Sequence, residues 1–193
     1  MYYSNKIEAG CDEAGRGALA GPVVAASVIL PQSFKCNEIN DSKVLSYNKR
    51  IILEKIIRSN AIGLSIGIVD VYKIDKINIL NSSILAMHKA INNLQITPEF
   101  LLIDGNRFNQ YQDIKHKCII KGDMKYQAIA AASIIAKNYR DRLMKKLDLK
   151  YPQYEWGQNK GYPTFKHRKA IMLHGITEFH RKSFQLKKTT NKE

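Results

Sequence analysis

Short apolar runs alternating with helical periodicity constrain this chain more than any other feature of its sequence. Residues 7–12 and 22–30 (PVVAASVIL) read as two paired strands joined by a glycine-studded turn. A third strand is expected at 61–69, AIGLSIGIV, between two helical patterns. Before it, Ile52, Leu53, Ile56 and Ile57 share one face of a helix expected over 46–58. After it, Ile84, Met87, Ile91 and Leu94 recur at intervals of three and four, with Asn81 or Ser82 as the start. Residues 100–103 form an apolar run ending in Asp104 and Gly105, the pattern of a buried strand that delivers a carboxylate at its C-terminal end. A short strand near 118–120 precedes a helical face marked by Ile129, Ala132, Ala136, Tyr139 and Leu143 and running to about residue 147. A final helix is expected at 164–174, closed by Gly175. This order predicts an α/β sheet with basic C-terminal helices as a small cap, in one globular unit without repeats or long linkers.

Charge points to the partner. The 193 residues carry 31 Lys or Arg against 17 Asp or Glu, a formal charge of +14, with the excess concentrated past residue 143. Such a surplus suits a polyanion such as nucleic acid. Cys11, Cys36 and Cys118 show neither CxxC pairing nor a zinc-like grouping with histidines, so buried reduced thiols are expected. No stretch approaches the ~18 apolar residues of a membrane helix and the N-terminus does not resemble an export signal, so a cytoplasmic protein with no membrane association is expected.

Against this cationic background four acids stand out. Asp12 and Glu13 are adjacent at the end of an apolar strand, where a charge is costly unless a cation sits against it. For both to reach one ion the strand must end there, and Gly15 and Gly17 supply a turn. Asp104 ends a second apolar run in the same way, and Asp123 lies just before the alanine-rich helix. Singly, each has a plain explanation: strand-end surface acids, an Asp-Gly turn, a helix N-cap. Together they fit oxygen-ligated metals acting on a phosphate substrate.

The motifs resemble a known family. GCDEAGRGALAGPVVAA at 10–26 closely resembles the opening signature of the type 2 ribonucleases H. The similarity continues in DSKVLS at 41–46, INIL at 77–80, LLIDGNR at 101–107, KGD at 121–123 and AAASIIAKNYRDRLM at 130–144. KGYPT at 160–164 and HGITEFHRKSF at 174–184 complete the family's order over essentially the whole chain. Within the family the chain is more similar to ribonuclease HII than to ribonuclease HIII, whose extra N-terminal domain has no room before the first strand. Val44 departs from the pattern, standing where many relatives carry a second lysine after Asp41, Ser42 and Lys43.

The resemblance implies a ribonuclease H-like fold, a mixed central sheet flanked by helices, with residues 1–147 as the catalytic core and 148–193 as a basic helical extension. It implies that Asp12, Glu13, Asp104 and Asp123 are catalytic and hold Mg²⁺ or Mn²⁺, two ions about 4 Å apart during catalysis. The implied substrates are RNA–DNA hybrids and duplex DNA with embedded ribonucleotides, cut 5′ of the ribonucleotide by a monomer. The 2′-hydroxyl, which distinguishes RNA from DNA, would be read by the backbone of Gly15, Arg16 and Gly17 and by Tyr162. Lys43, Ser133 and Lys137 would contact the substrate. Further candidate phosphate contacts are Lys121, Arg140, Lys160, His167, Arg168, Arg181 and Lys182. The rival readings are a nucleic-acid-binding protein without catalysis and another nuclease of the same fold, such as a junction resolvase or integrase.

Overall fold

The computed structural model of the protein describes residues 3–4, 6–39 and 45–186, so Lys43 and Val44 lie outside the described residues. The strands are β1 (Glu8–Ala14), β2 (Val23–Ile29), β3 (Gly63–Val69), β4 (Phe100–Asp104) and β5 (Lys115–Ile119). The helices are α1 (Tyr47–Asn60), α2 (Val71–Ile77), α3 (Ile79–Asn92), α4 (Gln127–Lys150), α5 (Trp156–Asn159) and α6 (Phe165–His174). One sheet runs in the order β3-β2-β1-β4-β5, antiparallel from β3 to β1 and parallel from β1 to β5. It is the mixed sheet that the family resemblance implies.

Strand alternation sorts the core into two layers. Ala9 and Cys11 of β1 join Ala25 and Ile29 of β2 against Ile74, Ala86, Met87 and Ile91 of α2 and α3. Ala26 and Val28 of β2 face the other way, against Leu53 and Ile57 of α1 and the alanine-rich start of α4. Close packing of α4 depends on Gly10, where an added Cβ would lie 2.2 Å from the backbone carbon of Ala128. Leu53, Ile57, Ile134 and Ile135 are fully buried, each stabilising the fold by about 1.5–3 kcal/mol relative to exposure. Polar bonds tie α1 to α4: Arg50 donates to Asp141 at 3.0 Å and to Asn138 at 3.1 Å.

Several elements differ from expectation, three of them for a clear local reason. α2 escapes the apolar pattern because it is a short helix started by Asp70, whose side chain accepts the Lys73 N–H at 2.8 Å. α3 begins at Ile79 rather than at Asn81 or Ser82: Asn78, at φ 67°, breaks the chain out of α2 and caps α3 by accepting the Asn81 N–H. β5 starts at Lys115, earlier than 118, because it is an edge strand whose lysines stay in water while backbone pairing to β4 defines it. The cysteines are free thiols, Cys11 buried and Cys36 and Cys118 half-buried, so full burial holds only for the first.

The C-terminal segment folds back onto the turn after β1. Tyr154, Trp156 and Ile171 cluster with Leu19, Ala20 and Met144. Leu19 donates its N–H to the Gly161 carbonyl at 2.7 Å and accepts from the Arg181 N–H at 2.8 Å. α6 matches its expected span, with Thr164 capping the start and Gly175 closing it.

Candidate active site

The sheet splits where the acids stand. β1 pairs with β4 only as far as Cys11 opposite Ile103, yet continues to Ala14 along β2, with Asp12 opposite Ala26 and Glu13 opposite Ala25. The strand therefore does not end at Asp12 as the sequence reading required; its β4 neighbour is lost instead, opening one edge. β4 keeps Asp104 paired to Ile119 and then turns at Gly105. A crevice at the C-terminal ends of diverging parallel strands is where α/β folds bind ligands.

Asp12, Glu13 and Asp104 line a cleft of about 560 Å³ together with Gly15, Arg16 and Gly17. Ser133 and Lys137 of α4, and Tyr162 beyond α5, complete its wall. Asp123 lies outside this lining, buried in a 3₁₀ turn (Gly122–Met124) rather than capping α4 as its plain reading had it. That turn is fastened to the cleft, since the Gly122 N–H donates to Asp104 Oδ1 at 2.8 Å. A second cleft of about 510 Å³, between Val71 and Leu147, has an almost wholly apolar wall and holds none of these groups.

Burial, reinforced by the neighbouring charges of Glu13 and Asp104, pushes the Asp12 carboxyl well above the usual carboxylate range, against the pull of hydrogen bonds from Ser133 and the Glu13 N–H. The last of these is 2.6 Å long. Among the described residues Asp12 has no ion pair with a cationic side chain, whereas Glu13 pairs with the half-exposed Arg16 at 3.2 Å. Nor do any three Asp, Glu, His or Cys side chains among the described residues already enclose a single ion. The donor set nonetheless fits hard divalent cations: it is all oxygen, and its crowded negative charge is what such an ion would relieve. An open cleft leaves coordination positions to water and to phosphate oxygens.

Tyr162 and the turn are held from behind. The His180 Nδ1 accepts the Thr177 N–H at 2.9 Å, so its proton sits on Nε2, 3.2 Å from His167 Nε2. His167 Nε2 also accepts from Trp156 Nε1 at 2.9 Å, which puts its own proton on Nδ1, donated to the Tyr162 carbonyl at 2.9 Å. Both rings are thus neutral, and burial lowers His167 and drives His180 down to about 4.

Several candidate phosphate contacts are corrected by burial. Arg140, His167 and Arg181 are 1%, 0% and 0% exposed and bond inward. Arg168 donates to the Gln185 and Leu186 carbonyls, and Lys160 to that of Gly157. Lys121 and Lys182 remain exposed. Lys137 reaches the cleft but is anchored by Asp141 at 2.7 Å, a partner the sequence reading missed although the spacing of four was a usable signal.

Comparisons with known proteins identify the family and the fold. The family model described as Ribonuclease HII matches residues 9–187. The Ribonuclease HII of Parabacteroides distasonis is 60% identical over 183 residues, covering 95% of this chain and 92% of that protein. Among solved structures, the PCNA:RNase HII complex from Archaeoglobus fulgidus matches with a TM-score of 0.79 at 26% identity, over 96% of this chain and 98% of that one. Bst-RNase HIII in complex with Mn²⁺ shares the fold at 16% identity, with a TM-score of 0.69 over 93% of this chain and 67% of that one. The extent of the matched sequence and the shared architecture place this chain in the ribonuclease HII family.

Proposed function

We propose that the protein is a metal-dependent endonuclease that hydrolyses the phosphodiester 5′ of a ribonucleotide, in RNA–DNA hybrids and in duplex DNA with embedded ribonucleotides, leaving 5′-phosphate and 3′-hydroxyl ends. The observation that carries this reading is the sharing of one cleft by Asp12, Glu13 and Asp104 with the Gly15–Gly17 turn and Tyr162. A group that does chemistry on phosphate and a group that can sense a sugar then face the same stretch of backbone. Family membership supports it, and the Mn²⁺ complex of Bst-RNase HIII supports a divalent ion.

In this reading Asp12, Glu13 and Asp104 hold Mg²⁺ or Mn²⁺, with Asp123 as a fourth acid reached through the turn that binds Asp104. Ions bound there would supply water activation and stabilisation of the leaving 3′-oxygen. The chain's own residues do the rest. The four acids set the charge of the site, and the backbone of Gly15, Arg16 and Gly17 approaches the ribose closely enough to engage its 2′-hydroxyl. The Tyr162 ring lies against the sugar. Ser133, Lys137 and Lys43 contact the substrate, and the net charge of +14 draws in the polyanion.

The same reading makes residues 1–147 the catalytic core and 148–193 an extension of it, in a cytoplasmic monomer that removes ribonucleotides from DNA or RNA primers. No described helix is long and apolar enough to cross a membrane. The test is incubation with duplex DNA containing one ribonucleotide, beside an all-deoxy control, with and without Mn²⁺ or Mg²⁺. Metal-dependent incision 5′ of the ribonucleotide alone is expected. Binding without incision would favour a non-catalytic nucleic-acid-binding protein, and incision of the all-deoxy duplex another nuclease of this fold.

A further inference from the structure

Behind the cleft lie two buried guanidiniums that, among the described residues, hydrogen-bond to backbone oxygen. Arg181 donates Nε and Nη2 to the Gly21 carbonyl at 3.0 and 2.8 Å, and Nη1 to the Arg16 carbonyl at 2.9 Å. Arg140 donates Nε to Pro22 at 2.9 Å, Nη2 to Ala20 at 3.0 Å and Nη1 to Lys160 at 2.8 Å. Neither forms an ion pair with a carboxylate among the described residues. Burying two cations against neutral dipoles is an expensive way to fold a turn, and burial brings Arg181 down to about 9.

Five of the six bonds go to the segment from Arg16 to Pro22, whose start lines the cleft, and the sixth to Lys160, two residues before Tyr162. Gly15, at φ +98°, rests directly on Arg140, for an added Cβ would lie 2.0 Å from its Nε. Arg140 also sits 5.4 Å from the centre of the Tyr162 ring. A trans peptide points its N–H away from its C=O, and no peptide bond described here is cis. Holding the Arg16 carbonyl on Arg181 therefore aims the Gly17 N–H away from Arg181, and Gly17 itself lines the cleft.

We infer that Arg181 and Arg140 are positioning residues for ribose recognition, fixing the Arg16–Gly17 peptide and the Tyr162 ring in the orientation that meets the 2′-hydroxyl. The inference rests on the reading of the cleft as a ribonucleotide-directed nuclease. Neither arginine touches the substrate; both act through the backbone and ring they hold. A misplacement of about 1 Å at a reacting centre can cost on the order of 100-fold in rate.

Arg181→Lys keeps the charge but replaces a planar fork that spans two carbonyls by one ammonium, which cannot hold both in place. Arg140→Lys makes the same change on the Tyr162 side. The control is Ile171→Ala, an apolar residue of the same C-terminal cluster with no side-chain polar atom to hold the turn, and each protein is compared at equal distance below its Tm. Cleavage of a single-ribonucleotide duplex is measured by steady-state kinetics with Mn²⁺ titration. We expect kcat in both lysine variants to fall about 10-fold or more below the control, with KM within about threefold and the Mn²⁺ half-saturation unchanged. A kcat no lower than that of Ile171→Ala would overturn the inference, as would a rise in KM alone, the mark of a phosphate contact. If the wild type fails to cut, the functional reading and this inference fall together; if it cuts and both lysine variants cut equally well, only the inference falls.

Discussion

Asp12 in the cleft and the two arginines behind it are all buried charges, but they differ in what answers them. Asp12 meets Glu13 and Asp104, charges of its own sign, and faces an open cavity. Arg181 and Arg140 together place six N–H bonds on carbonyl oxygens of the chain itself. A buried charge that the protein leaves without a counter-charge beside a cavity is set up for a ligand from outside, whereas one satisfied by backbone dipoles fixes shape. The two clusters are a site and its mould.

The sharpest way to break this contrast is Asp12→Asn. Metal-dependent cleavage should fall on the order of 1,000-fold or more, measured under single turnover, while the melting temperature stays level or rises because a like charge has left a crowded, buried place. Arg140→Met should do the reverse to stability. Leaving three inward carbonyls without their donor should cost at least about 3 kcal/mol, read as a lower urea midpoint.

The histidines of the mould make a third distinction, through acid. His167 and His180 are held neutral, with folded-state pKa values below the unfolded 6.5 and, for His180, near 4. Their contribution to stability is therefore complete above pH 6.5 and is lost as the pH falls through 6.5 towards 4, by about 3 kcal/mol for His180. Thermal melts across that interval should slope more gently in His180→Gln than in the wild type. The mildest effect is expected from the metal itself. Mn²⁺ at 100 times its Kd should add about 2.7 kcal/mol to the wild type, visible as a rise in Tm of several degrees, and much less to Asp12→Asn. An equal rise in both proteins would detach the ion from the cleft.

What the sequence discloses follows the same division. Strands β1, β2 and β4 are legible because they are buried on both faces and read as apolar runs, so that Asp12 and Asp104 stand out as anomalies at their ends. β5 is legible only at its apolar end and α2 not at all, since an edge strand of alternating lysines and a seven-residue helix carry little hydropathy contrast. That β1 runs on past Asp12 while parting from β4 is a matter of pairing, invisible in either strand alone. The arginines mislead for a deeper reason. A cation satisfied by another side chain leaves a complementary residue to be noticed, but one satisfied by carbonyls leaves no trace, because every residue has a carbonyl. Arg140 and Arg181 thus look in sequence like surface cations suited to phosphate.

Arg181 bonds to a carbonyl 165 residues earlier in the chain, and that distance bears on when the protein becomes competent. During synthesis the carboxylate strands and their helices emerge first and can pack, but the turn they surround stays unclamped until Arg181 has left the ribosome. A nascent chain stalled short of that point would own every acid of the cleft and still lack the grip that shapes the turn beside them. Nuclease competence would then arrive only with the segment that carries Arg181.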